Sequence, residues 1–179
     1  MPDTADAVLQ EDEGRPTLRF ERILEHPPER VWEAMIEPAQ LSAWHPTPFE
    51  LEPLKGGLIR YITAEGSPTM PDGEVIEHDP PRVLAYTWGE DQLRWELLAH
   101  GDGCLLVLIH TFDDRLKSAR DAAGWHLCLD RLSFSLDDRQ TSQPQQSNDG
   151  PPPGWRELNR EYEGRFGIAA DQATPPPTS

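Results

Sequence analysis

Cysteine is scarce in this chain, two among 179 residues. Cys104 and Cys128 supply neither the density of a disulfide-stapled secreted domain nor the paired spacing of a zinc module. Long hydrophobic runs are missing too. The longest, Cys104 to Ile109, is strand length, far below the roughly 20 apolar residues of a bilayer-crossing helix. No basic-then-apolar signal segment opens the chain, so no membrane insertion and a cytoplasmic location are expected. Basic residues are few: 16 Lys and Arg against 32 Asp and Glu leave a net charge of -16. Such a surface favours solubility and repels phosphate backbones, which removes nucleic acid from the expected partners. Absent as well are a GxSxG elbow, a phosphate loop and a dinucleotide fingerprint, and the six histidines are scattered without ligand spacing. No metal and no cofactor are called for.

What the chain does contain is an ordered series of short periodic segments. Residues 1–16 are acidic and poor in bulky apolar side chains, the composition of a disordered leader. Leu18, Phe20 and Ile23 begin a strand-like stretch that stops at His26-Pro27-Pro28. Val31, Ala34 and Met35 recur at helical spacing up to Pro38, and a second short helix runs from Ala39 to Trp44. Short strands follow at Phe49 to Leu51 and Leu58 to Thr63, with a hairpin loop over Ser67 to Gly73. Four further strands lie near Glu74 to His78, Val83 to Trp88, Gln92 to Ala99 and Cys104 to Phe112.

From Leu116 to Leu136 the period changes to that of a helix. Trp125, Cys128, Leu129, Leu132 and Leu136 form one stripe that should lie on the sheet, with His126 at its edge. A weaker stripe of Ala123, Leu127 and Phe134 needs a second cover. Residues 139–153 have linker composition. An amphipathic helix spans 154–168 with Trp155, Leu158, Tyr162 and Phe166 on one face, packing on the main domain, and 169–179 read as a disordered tail. Residues 17–138 therefore form one α+β domain with a curved antiparallel sheet around a long C-terminal helix, and the amphipathic helix is an addition to it.

Four strings sharpen that order of elements: PPERVWEAMIEPAQLSAWHP from Pro27, GEVIEHDPPRVLAYTW from Gly73, RWELLAHGDGCLLVLIHTF from Arg94 and AGWHLCLDRL from Ala123. In sequence they resemble the activator of heat-shock protein 90 ATPase homologue family of the START-like, or SRPBCC, superfamily. The resemblance covers Thr17 to Leu136 and implies the helix-grip fold, START or Bet v 1-like. It also implies a cavity between sheet and long helix, since relatives hold lipids, polyketides or other hydrophobic molecules. One fold hosts several functions here, so no activity transfers with it. The eukaryotic chaperone activators carry a separate chaperone-binding domain for which the short leader leaves no room.

Alternation at period two marks the residues that would line such a cavity. Ile59 and Tyr61, then Tyr86 and Trp88, then Trp95 each share a strand face, and rings with polar tips both fill and orient. His110 shares parity with Leu106, Leu108 and Phe112. It would hydrogen-bond a ligand, act as an acid–base group or serve as a satisfied structural histidine. Trp44 and His45 stand where a pocket mouth is expected, with Trp125 opposite. Cys128 reads as a small hydrophobe. Asp113-Asp114 caps the turn into the long helix. Leu105, Val107 and Ile109 face outward, and a C-terminal helix or a second subunit of a homodimer would cover them.

Three functions fit these residues. The first is a protein that binds a small hydrophobic molecule through Trp44, Ile59, Tyr61, Tyr86, Trp88, Trp95, His110, Trp125 and Cys128 without catalysis. The second is a cyclase-like enzyme that uses the cavity as a template, with His110 or Tyr86 handling protons. The third is an interaction module such as a chaperone cofactor.

Overall fold

The computed structural model describes residues 6–63, 65, 69–137 and 151–169. The first five residues of the leader, part of the 67–73 hairpin loop, most of the 139–153 linker and the tail from 170 lie outside the described residues. Eight strands form one antiparallel sheet: β1 Val8–Asp12, β2 Arg15–Leu24, β3 Phe49–Leu51, β4 Leu58–Tyr61, β5 Gly73–Asp79, β6 Val83–Trp88, β7 Asp91–His100 and β8 Gly103–Thr111. Their spatial order is β1-β2-β8-β7-β6-β5-β4-β3. Helices α1 Pro28–Ile36 and α2 Pro38–Leu41 bridge β2 and β3, the long helix α3 is Ser118–Leu136, and α4 is Trp155–Phe166. This is the open sheet and C-terminal helix of the helix-grip arrangement.

The leader is where composition misled. Val8 to Asp12 pair with Arg19 to Arg15 through a two-residue turn at Glu13 and Gly14, both at positive φ. Backbone hydrogen bonds to an existing edge strand order a segment whose side chains bury little, and a turn of this hand matches strand twist. β2 pairs with β8 over eight residues, Thr17 opposite Thr111 to Leu24 opposite Cys104. That long-range contact brings the start of the domain onto its last strand.

Burial follows the predicted parity. Leu18, Phe20, Leu84, Tyr86, Leu93, Trp95, Leu106, Leu108 and His110 point inward at 0–1% exposure. The α3 stripe of Trp125, Cys128, Leu129, Leu132 and Leu136 meets them and is buried too. Pro28 opens α1 where its missing N–H costs nothing, and Val31, Trp32, Ala34 and Met35 bury that helix against the same core.

The outer sheet face is flanked by charged residues over only part of its length. Val107 sits between Glu21 and Glu96 in register, and Ile109 between Arg19 and Arg94. Arg19 pairs with Glu21, and Arg94 with Glu77 and Glu96. Long charged side chains can cover apolar surface with their methylene stems while the heads stay wet, and Val107 is only 1% exposed, whereas Leu105 lies between Ile23 and Leu98, which are 56% and 52% exposed. Helix α4 lies instead on α3, where the Tyr162 hydroxyl shares a 2.8 Å hydrogen bond with His126 Nδ1 and accepts the Ala7 N–H. His126 thus faces α4 and not the sheet. Ala123 of the second α3 stripe is buried, whereas Phe134 remains 38% exposed. Asp114 caps the short 3-10 turn Arg115–Lys117 through the Leu116 N–H, and Asp113 pairs with Arg15.

Candidate functional site

Between the inner sheet face and α3 the side chains form an aromatic layer. Trp125 stands at its centre, with ring centroids 5.4 Å from Trp88, 5.6 Å from Trp95, 5.6 Å from His45 and 6.1 Å from His110. Trp44 packs edge-on to Trp95, and Phe49 bridges Tyr61 and Tyr86. Separations of this size with tilted or T-shaped planes are the favourable geometry for ring quadrupoles. Ile59 and Cys128 belong to the same buried cluster. Burial pushes the Cys128 thiol up to about 12, so it stays protonated, a small hydrophobe and not a nucleophile.

Two polar chains run through the layer. In the first, Lys117 Nζ contacts both oxygens of Asp91 at 3.0 and 2.9 Å, and Asp91 Oδ2 lies 2.8 Å from His110 Nε2. Trp125 Nε1 donates to His110 Nδ1 at 3.1 Å. An indole nitrogen only donates, so Nδ1 is the acceptor and the neutral ring carries its proton on Nε2, facing the carboxylate. Burial opposes the charge on Asp91, but the bonds from His110 and Lys117 outweigh it and hold its pKa below the usual carboxylate value. His110 is 0% exposed with both nitrogens engaged. It has none left for a ligand or for proton transfer, and of the roles open to it the structural one remains.

In the second chain, the Thr47 N–H donates to His45 Nδ1 at 3.1 Å, and His45 Nε2 lies 3.1 Å from the Tyr86 oxygen. Trp95 Nε1 donates to that same oxygen at 3.2 Å. Burial drops the His45 pKa to about 3, so the ring is neutral at any ordinary pH. Burial, and secondarily the nearby Tyr61, raises Tyr86 well above the usual phenol value. Tyr61 is fixed by donating its hydroxyl to the Thr87 carbonyl. A glycine is required beside it, because a Cβ on Gly73 would meet the Thr87 oxygen at 2.7 Å and the Tyr61 hydroxyl at 3.1 Å. Trp44 is an anchor, donating from Nε1 to the Ala34 carbonyl at 2.9 Å.

Of the sequence-predicted lining, Trp44, Tyr61, Tyr86, Trp88, Trp95, His110 and Trp125 come together in this layer. Sequence reasoning missed Asp91, Lys117 and Phe49, and gave His45 only a place at a mouth. Asp91 was accessible to it: it shares parity with Leu93, Trp95 and Leu97, an acid on the inward face of β7. Donor atoms of Asp91, His110 and Asp121 lie within 4.8 Å of one another, a grouping that could ligate a metal. The cations of Lys117 and Arg120 already pair with its two carboxylates. An open cleft of about 510 Å³ between β1 and the end of α4, with Arg115 and Arg165 at its margin, touches none of the aromatic layer.

The model of the activator of Hsp90 ATPase homolog 1-like proteins matches residues 25–136, α1 through α3. The chain belongs to that family. Its fold recurs in a conserved protein of unknown function from Enterococcus faecalis, 19% identical, with a TM-score of 0.67 over 91% of this chain and 92% of that one. CalU16 from Micromonospora echinospora is 18% identical with a TM-score of 0.65, covering 90% and 95%. A Bordetella parapertussis protein reaches 28% identity and a TM-score of 0.61 over 93% and 94%. No curated protein matches the chain. Among the described residues no helix is long and apolar enough to cross a membrane.

Proposed function

We propose that this family member binds a small, flat, apolar molecule at the aromatic layer and catalyses no reaction itself. The observation that supports this is Trp88. Its neighbours in the layer are all at most 7% exposed, whereas Trp88 is half-buried. Trp88 is thus the member of the layer that is least enclosed, and its ring packs on Trp125, His110 and His45. Binding sites for apolar molecules combine such rings with a few fixed polar atoms. Groups suited to chemistry are otherwise committed: His110 between Asp91 and Trp125, and the Cys128 thiol in its protonated form. Two free, buried cysteines accord with a reducing, cytoplasmic setting.

Fluorene, a planar hydrocarbon, tests the reading. Titrated into the protein, it should quench tryptophan fluorescence saturably at one equivalent. Trp88→Ala should weaken it at least about tenfold, the scale of one aromatic contact pair. Absence of saturable quenching by fluorene and by its ketone, fluorenone, would overturn the proposal.

A further inference from the structure

The hydrogen bonds of the second polar chain do not close. His45 Nδ1 is filled by the Thr47 N–H, so the neutral imidazole is a donor at Nε2, and the indole of Trp95 is a donor by nature. Both aim at the Tyr86 oxygen, at 3.1 and 3.2 Å. A phenol oxygen has two lone pairs and one proton. The two N–H groups occupy the lone pairs, and neither can accept the proton. Two residues along β6, on the same face, the Trp88 Nε1 is buried with no hydrogen-bond partner among the described residues. Two unspent donors thus lie two residues apart on one strand, Tyr86 bonded to His45 and the Trp88 ring 6.5 Å from the His45 ring between centroids.

From this geometry we infer that Tyr86 O–H and Trp88 Nε1–H form a two-donor reader for the carbonyl oxygen of a neutral ketone or quinone. The inference rests on the reading of the aromatic layer as a binding site and names the chemistry that site selects. Two N–H groups drawing electron density from the Tyr86 oxygen make its O–H a stronger donor, since hydrogen bonds in a chain polarise one another. His45 and Trp95 are positioning residues in this arrangement. Rings of Trp44, Phe49, Trp88 and Trp125 wedge His45, so the donor pair is held before a ligand arrives. An amine donor would find no acceptor at this pair. A carboxylate would need a cation, and the nearby Lys117 is committed to Asp91.

Fluorenone and fluorene have the same outline and differ by the carbonyl. The wild-type protein should bind fluorenone about tenfold or more tightly than fluorene, the scale of a buried hydrogen bond. Tyr86→Phe keeps its ring and removes one donor, Trp88→Phe removes the other and leaves a smaller ring, and each should shrink the fluorenone-to-fluorene ratio several-fold whatever it does to fluorene affinity itself. The carbonyl stretch of bound fluorenone should lie below its value in hydrocarbon solvent and rise in either variant. Equal binding of the two tricycles with an unshifted carbonyl band overturns the donor pair and leaves the aromatic site standing. Failure of both to bind overturns the pair together with the site. Tyr86→Phe strands two N–H donors; if it does not fold, Trp88→Phe decides, and an unchanged ratio there refutes the inference.

Discussion

Replacing Asp91 by Asn tests whether the Lys117–Asp91–His110–Trp125 chain holds α3 to the sheet. Asp91 sits at the start of β7, His110 near the end of β8 and Lys117 immediately before α3. Their side chains are 12%, 0% and 21% exposed. Asn keeps one acceptor oxygen, enough for the His110 Nε2–H, but turns an amide donor toward the Lys117 ammonium. A charge-assisted bond contributes about 1.5–3 kcal/mol, and a fully buried ion pair broken on one side costs about 3–5 kcal/mol. Lys117 reaches some solvent, so a loss of about 2–4 kcal/mol is expected. For a chain of this size that lowers Tm by on the order of 10 °C, readable by circular dichroism. The folded pKa of Asp91 lies below its unfolded value of 3.8. Its contribution is therefore complete above that value and lost as pH falls through the folded one. The gap between wild type and Asp91→Asn should be constant from pH 8 to 5 and start to narrow as pH falls below about 4. Equal Tm values at pH 7, or a gap that does not narrow at all as the pH is lowered from 5 toward 2, would refute the argument.

Two other expectations follow from the same geometry. His45, with its pKa dropped to about 3 by burial, should show ring resonances that do not move between pH 8 and 5 and a proton on Nε2; titration near 6.5 would contradict it. Truncation after Gly154 removes Trp155, Tyr162, Phe166 and Ile168, all at most 8% exposed, and bares the α3 surface they cover. It should lower stability by several kcal/mol on the scale of large buried side chains and cause association on size exclusion, whereas an equally stable monomer would show that α4 is dispensable.

Period-two and period-3.6 patterns carry real physical content here, because each inward side chain of β6, β7 and β8 must meet the stripe of α3 or lose its burial. That is why Tyr86, Trp95, His110 and Trp125 group together on pattern alone. Composition served worse. The residues of β1 look unfoldable alone, yet β2 supplies a partner edge, and backbone pairing is indifferent to how acidic a side chain is. The apolar outer face of β8 likewise suggested a missing cover; Arg19 and Arg94 flank Ile109, but Leu105 lies between the exposed Ile23 and Leu98.

The sequence by itself determined the family, the order of elements from β2 onward and the inward faces, since alternation and turn residues are local properties. Only the tertiary structure decided what the polar atoms on those faces do. His110 is closed because Trp125, one helix away, fills its second nitrogen. The Tyr86 proton meets no acceptor among the described residues because Thr47 fixes the tautomer of His45. Hydrogen-bond direction depends on which donors and acceptors meet in space, and residues 41 apart in the chain meet only through the fold.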